Sequence, residues 1–356
     1  MKRFSPTALA LALALTPAAA FAAPADALVE RVAPDRLKIS WADRNGVDVY
    51  MADRPDAAAD AATLVSGNDR DGKHEVAVAP GARPYFLLRD RKDGGAVRAA
   101  ERLLPLEHSS NFRDIGGYPA AGGKHVRWGM IFRSGATPLL TDADQAAVAK
   151  LHLANMVDLR SDEERQLAPS KIYGVPYHAV GYSMNAILSA MRPAAGSPAT
   201  AMPTNGGALY RQMPEMLAPQ MRVLFGRLRA HEGPLLYNCS AGQDRTGFAT
   251  ALILAALGVP RDVIIADYHL STGYRRPEYE MVRFDPAAFP DNAAAKLFSH
   301  AGATKPQPLK EADGTAFLSF ALDAIDQRYG SVEAYLDKQL GFNAVDVAAL
   351  RATYLE

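Results

Sequence analysis

The sequence predicts two classes of structure in one chain: a small all-β sandwich over residues 27–104, followed by an α/β layer domain over residues 105–356. Three observations carry this. Short runs of alternating apolar and polar residues, punctuated by Asn-Gly and Asp-Gly pairs, fill the first segment. From Glu107 onward, short apolar runs alternate with capped helical segments. The length of 356 residues fits about two domains of roughly 150 residues each.

The chain opens on a basic Met1-Lys2-Arg3, an apolar run from Leu9 to Leu15, and a small-residue site at Ala20-Phe21-Ala22. This is the pattern of a secretory signal peptide over residues 1–22. The apolar run is too short for a membrane span, which needs about 20 residues. The expectation is a periplasmic or secreted protein without stable membrane insertion. Lys plus Arg and Asp plus Glu both number 39, so no charge excess points to nucleic acid or an anionic membrane surface. The single cysteine, Cys239, can form neither an internal disulfide nor a multi-cysteine metal site. The eight histidines show no metal-ligand spacing, so neither metal nor cofactor is expected.

In the first domain, Leu37, Ile39 and Trp41 alternate with polar residues, as do Val47 and Val49, followed by Met51. Asn45-Gly46 between them signals a hairpin turn. Further strands are expected over Glu75–Ala79, Tyr85–Arg89 and Ala96–Leu103, separated by Asp71-Gly72 and Asp93-Gly94-Gly95. Strands at this spacing suggest a sandwich of fibronectin or immunoglobulin type. The segment carries no polar cluster of catalytic character, so its expected role is structural or docking, with adhesion as the alternative.

In the second domain, Thr141 caps a helix to Leu151, Ala154–Leu159 reads as a buried strand, and Ser161 with Glu164 forms a capping box. Arg222–Ala230 is an amphipathic helix, Pro234–Asn238 a short buried strand, and Arg245–Leu257 an apolar helix stopped by Gly258 and Pro260. The chain ends in helices over Ser331–Leu340 and Ala344–Leu355. Residues 183–213, rich in Ala, Met, Pro, Gly and Ser, read as a lid, a mobile loop or a disordered segment. A second irregular stretch runs from Arg276 to Lys310.

The chemistry concentrates at Cys239-Ser240-Ala241-Gly242-Gln243-Asp244-Arg245-Thr246-Gly247, where a strand feeds a loop and the loop feeds a helix. Such a loop can turn successive backbone N–H groups into an anion-binding cup, and the helix N-terminus adds its positive dipole end. Both favour a thiolate at the start of the loop. Arg245 brings a fixed positive charge and parallel donors suited to two phosphate oxygens. Gly242 permits a tight turn, and Thr246 can hydrogen-bond the thiolate. The substrate-binding set is therefore Ser240, Ala241, Gly242, Gln243 and Thr246, around catalytic Cys239 and Arg245. The alternative is a buried cysteine serving as a small hydrophobe.

This run resembles the Cys-x5-Arg phosphate loop of protein tyrosine phosphatases. It is most similar to the atypical bacterial secreted group whose loop reads HCxAGKDRTG. Asn111-Phe112-Arg113-Asp114-Ile115-Gly116-Gly117 looks like that group's first signature and Val157-Asp158-Leu159-Arg160 like its second. The tail from Tyr335-Leu336 to Leu340-Gly341, with Leu350 to Leu355, looks similar as well. The resemblance covers residues 104 to 356 and leaves out the β domain. It implies a tyrosine-phosphatase-like domain, with a central, mostly parallel sheet flanked by helices. It also implies hydrolysis of a phosphorylated protein or small phosphomonoester through a phosphocysteine intermediate. Members act on phosphotyrosine, phosphoserine or phosphothreonine, and phosphoinositides. A carboxyl group must protonate the leaving oxygen and later activate water: Asp244 is the first candidate and Asp158 the second, each with a structural pairing to Arg160 or Arg113 as the alternative. Arg113 and Asp114 are expected in buried pairs that fix their loop, and Asp267, Tyr268 and Tyr274 behind the site.

Two positions depart from the group. Asn238 stands where His usually precedes the cysteine, and Gln243 where Lys is common. Losing the lysine charge lowers the expected affinity for polyanionic phosphoinositides. A sulfur transferase and a catalytically weak phosphate-binding module remain the competing readings.

Overall fold

The computed structural model describes residues 23–183, 206–299 and 305–356. The expected signal segment 1–22 and most of the weakly patterned segment 183–213 lie outside the described residues.

The first domain is a sandwich of two antiparallel sheets. Strands β1 (Ala25–Ala33), β2 (Arg36–Ala42) and β5 (Lys73–Ala77) form one sheet, in the order β1-β2-β5. Strands β3 (Val47–Ala52), β4 (Thr63–Asp69), β6 (Tyr85–Asp90) and β7 (Ala96–Ala100) form the other, in the order β4-β3-β6-β7. Leu37, Ile39 and Trp41 on one face of β2 meet Val47, Val49, Phe86 and Leu88 from the facing sheet, which is the period-two burial that the sequence shows. The Asn45-Gly46 turn departs from expectation. Both edges of β3 are taken by β4 and β6, so β2 cannot pair with it, and the turn carries the chain from one sheet to the other. Asn45 fixes this crossing by donating from Nδ2 to Asp90 Oδ2 at 2.6 Å. Strands β1 and β4, not expected from sequence, lie at sheet edges and are largely exposed, so they carry little apolar alternation.

The second domain is built on a five-stranded sheet of β8 (Arg113–Asp114), β9 (Ile131–Ser134), β10 (Asn155–Asp158), β11 (Tyr177–Ala179) and β12 (Leu235–Asn238). Its order is β11-β10-β12-β9-β8, parallel throughout except for β8 at one edge. Central β12 is wholly buried, and its end is in register with its neighbours: Asp158 lies beside Asn238, and Asn238 beside Ser134. The carboxyl ends of three parallel strands thus converge where Cys239 begins its loop, the usual ligand position in such sheets.

The loop runs into the helix Asp244–Ala256, whose apolar body is buried among the helices Ala218–Ala230, Phe317–Tyr329 and Val332–Leu340. Thr141 and Ser161 cap the helices Asp142–Ala149 and Asp162–Leu167 with capping boxes, and Asn343 does the same for Ala344–Tyr354. Helices Arg261–Tyr274 and Phe317–Tyr329 lie outside the sequence expectations, and the irregular stretch after Arg276 contains the helix Ala293–Ser299. The two domains meet at Trp128, which packs on Tyr85 and Ala100 and donates from its indole nitrogen to Arg98 O at 3.0 Å. Among the described residues no helix is long and apolar enough to cross a membrane.

Candidate active site

Cys239 leaves β12 as a buried thiol, 1% exposed, at the base of the loop. The loop carbonyls are drawn away from its interior. Ser240 O accepts from Ala136 N at 2.8 Å, and Gly242 O accepts from Asn111 Nδ2 at 2.7 Å and Arg133 Nη2 at 2.8 Å. Because each peptide is trans, a carbonyl held on one side turns the next N–H to the other. Among the described residues the N–H groups of Ser240, Ala241, Gly242 and Gln243 donate to no protein acceptor, and the N-terminus of Asp244–Ala256 adds its dipole beside them. Gly242 has φ 65°, and a Cβ there would lie 2.6 Å from Gly135 N and from the Ser134 carbonyl carbon. Only glycine allows this turn to pack against β9.

Arg245 lies in the first turn of the loop helix and is held by Glu164. Nη1 donates to Glu164 Oε2 and Nη2 to Oε1, both at 2.6 Å. Nη1 also donates to Tyr182 Oη at 2.6 Å. Among the described residues Nε–H and the second Nη2–H make no hydrogen bond, which leaves a two-donor edge suited to two oxygens of a phosphate. Glu164 also accepts from Ser240 Oγ at 2.7 Å and from Ser161 N at 2.8 Å. Burial alone would raise its carboxyl, but Arg245, Ser240 and the Ser161 N–H outweigh it and bring it down to about 2. Burial works against the Arg245 charge, and Glu164 overcomes it to push the guanidinium well above its ordinary value.

The two candidate carboxylates have different surroundings. Asp244 opens the loop helix, partly exposed, and Tyr210 Oη donates to its Oδ1 at 2.5 Å. Tyr210 in turn shares a hydrogen bond of 2.6 Å with Tyr268. Asp158 is 1% exposed, and both its oxygens are taken by Arg160, at 2.9 Å to Oδ1 and 2.7 Å to Oδ2, with Tyr177 Oη at 2.7 Å. That is the structural pairing with Arg160 raised from sequence.

Other expected contacts take different forms. The Ser240 side chain serves Glu164, so only its backbone is left for a ligand. Gln243 Oε1 accepts from Arg275 Nη1 at 2.8 Å, and Arg275 is itself paired with Glu280. Thr246 Oγ1, Asn238 Oδ1 and Gln243 Nε2 are buried without a hydrogen-bond partner among the described residues, so the expected Thr246 contact with the Cys239 sulfur is not formed.

Behind the loop, Asp267 lies between Arg113, at 3.2 Å, and Arg133, at 2.7 Å, all three essentially unexposed. Burial would raise the Asp267 carboxyl, but the two guanidinia hold it far below the usual range. Asp114 pairs with Arg83 of the β domain at 2.9 Å. Sequence reasoning missed Arg133, Tyr182 and Tyr210 as supports of the site, and read Glu164 only as a helix cap. Among the described residues no group of three His, Cys, Asp or Glu side chains could hold a metal.

Residues 104–356 match the model of the tyrosine phosphatase family. A Cupriavidus necator protein described as a candidate tyrosine-protein phosphatase is 34% identical over 262 residues, covering 71% of this chain and 88% of its own. The triple specificity protein phosphatase PtpB of Mycobacterium tuberculosis is 30% identical over 283 residues, covering 69% of this chain and 96% of its own. A tyrosine-protein phosphatase of Nostoc commune is 26% identical over 218 residues, covering 60% and 69%. The match over residues 104–356 and the two relatives at 34% and 30% identity show that the chain belongs to the tyrosine phosphatase family and is a phosphoric monoester hydrolase.

Proposed function

We propose that Cys239 is the nucleophile and that hydrolysis passes through a phosphocysteine intermediate. The thiolate attacks phosphorus and forms an S–P bond while the P–O bond to the leaving group breaks. The loop N–H groups and the free edge of Arg245 hold the non-bridging oxygens. Asp244 gives its proton to the leaving oxygen. A water then attacks the phosphocysteine and passes a proton back to Asp244, releasing inorganic phosphate and the thiolate. Asp244 rather than Asp158 fills this role in the proposal, because both Asp158 oxygens are committed to Arg160. The observation that carries the reading is the set of N–H groups from Ser240 to Gln243 that are unengaged among the described residues, on the loop that holds both Cys239 and Arg245.

The proposed substrates are phosphotyrosine-type monoesters, extending to phosphoserine or phosphothreonine. The neutral Gln243, tied to Arg275, offers polyanionic phosphoinositides less attraction than a lysine would. The proposed location is the periplasm or the exterior, resting on the export pattern of residues 1–22. Cell fractionation checks this: retention of the full chain in the cytoplasm would oppose it.

The test is hydrolysis of an aryl phosphate without added metal, for wild type and Cys239→Ser. The proposal expects turnover that vanadate blocks and the substitution abolishes. Tight vanadate binding without turnover would favour the phosphate-binding module instead, and transfer of sulfur from thiosulfate would favour the sulfur transferase.

A further inference from the structure

Arg83 reaches from the β sandwich into the second domain. It lies between β5 and β6, and its side chain is only 7% exposed. Nε donates to Glu101 O at 2.6 Å, Nη1 to Tyr85 Oη at 2.9 Å, and Nη2 to Asp114 Oδ2 at 2.9 Å. Asp114 is 0% exposed, and Arg83 is the one cation paired with its carboxylate among the described residues. The other donors to the Asp114 carboxylate are backbone groups of its own domain: Gly116 N to Oδ1 and Gly129 N to Oδ2, each at 2.8 Å. A buried carboxylate of this kind depends on its counter-charge, which here belongs to another domain.

Asp114 shares the two-residue strand β8 with Arg113. The Arg113 side chain turns inward, donating to Asn111 Oδ1 from Nη1 and to Asp267 O from Nη2 at 2.9 Å. Asn111 closes the relay. Its Nδ2 holds Gly242 O at 2.7 Å and Ala241 O at 3.3 Å, the carbonyls whose outward pull turns the following N–H groups into the cup. A second contact runs in parallel. Gly116 and Gly117 lie so close to Trp128 that a Cβ would come within 2.5 Å and 2.3 Å of it, and Trp128 packs on Tyr85 and Ala100 of the sandwich.

We propose that the β sandwich braces the phosphate loop, with Arg83 as a positioning residue that acts through Asp114, Arg113 and Asn111 on the carbonyls of Ala241 and Gly242. The sandwich is then part of the catalytic unit and not only a docking appendage. This rests on the reading of the Cys239 loop as the phosphate site.

The test uses the full chain: wild type, Cys239→Ser, Arg83→Met, and the double variant Arg83→Met/Asp114→Asn. The double variant removes both charges, so no charge is left stranded in the interior, and its Tm reports the cost of the lost hydrogen bonds. Measured well below each variant's Tm, kcat for an aryl phosphate should fall about tenfold in both Arg83 variants, and vanadate affinity should weaken by a similar factor. In an Asn111→Ala background, where the last bond of the relay is already gone, Arg83→Met should add little. A double variant with lowered Tm but wild-type kcat and vanadate affinity would overturn the brace, whatever the single variant does. Wild type without turnover or vanadate binding would instead remove the reading beneath it, so the two failures are distinguishable.

Discussion

Arg245 and Glu164 form a two-bond ion pair beside the Cys239 loop, each terminal guanidinium nitrogen 2.6 Å from a different carboxylate oxygen. Glu164 is fixed in turn by the Ser161 N–H and the Ser240 hydroxyl. The pair therefore does two things. It spends the end of the guanidinium on protein, and it aims the remaining Nε and Nη2 donors as one edge. A flexible arginine would have to be ordered by each substrate anew, at a cost in rotamer freedom.

Glu164→Gln should leave the fold in place and reduce kcat by roughly 10- to 100-fold, because the arginine loses its charged tether. Steady-state kinetics on an aryl phosphate, with circular dichroism as the folding control, checks this. A wild-type kcat would show that Arg245 needs no holder.

The same pair makes stability depend on acidity in a definite direction. The Glu164 carboxyl is depressed in the folded protein to about 2 from an ordinary 4.5. Its contribution is therefore complete above the unfolded value and lost as pH falls through the folded one. At about 1.4 kcal/mol per pKa unit, this amounts to on the order of 3 kcal/mol. Urea unfolding of wild type should weaken from about pH 5 to about pH 2, with Asp267, also depressed, contributing to the same fall. Glu164→Gln should show a shallower loss over that range, and equal slopes would contradict the assignment.

Asp244→Asn should penalise poor leaving groups most. An alkyl phosphate, whose leaving oxygen needs a proton, should lose about 100-fold or more in kcat. An activated aryl phosphate should lose far less. Equal losses on both substrates would assign Asp244, which accepts from Tyr210, to orientation instead of proton transfer.

Gly242→Ala should abolish turnover and lower Tm. The left-handed backbone costs a Cβ about 1–2 kcal/mol, and the added carbon would meet Ser134 and Gly135 at 2.6 Å. The strain falls within the loop, so vanadate binding should fail together with kcat. A fully active alanine variant would show that the loop has room to shift.

Local signals were legible and long-range ones were not. The strand, loop and helix around Cys239 could be read because an apolar run, a Gly-containing loop and an apolar helix follow one another directly. The capping box of Ser161 and Glu164 was legible for the same reason, yet its partner Arg245 lies 81 residues away and leaves no mark near Glu164. Strand β9, four buried residues between Gly129 and Gly135, shows no alternation and cannot be told by period from a helix fragment. The helix Arg261–Tyr274 did carry a usable signal, Pro260 at its cap and Asp262 in its first turn. Asn45-Gly46 misled because the dipeptide encodes a tight turn but not which sheet the next strand joins.

Acid quenching during turnover, followed by mass analysis of the peptide that contains Cys239, shows whether phosphate passes through its sulfur. The expected result is a peptide heavier by one phosphoryl group, enriched in Asp244→Asn with an activated aryl phosphate and absent from Cys239→Ser. Full turnover with no phosphorylated peptide, or turnover surviving in Cys239→Ser, would contradict it.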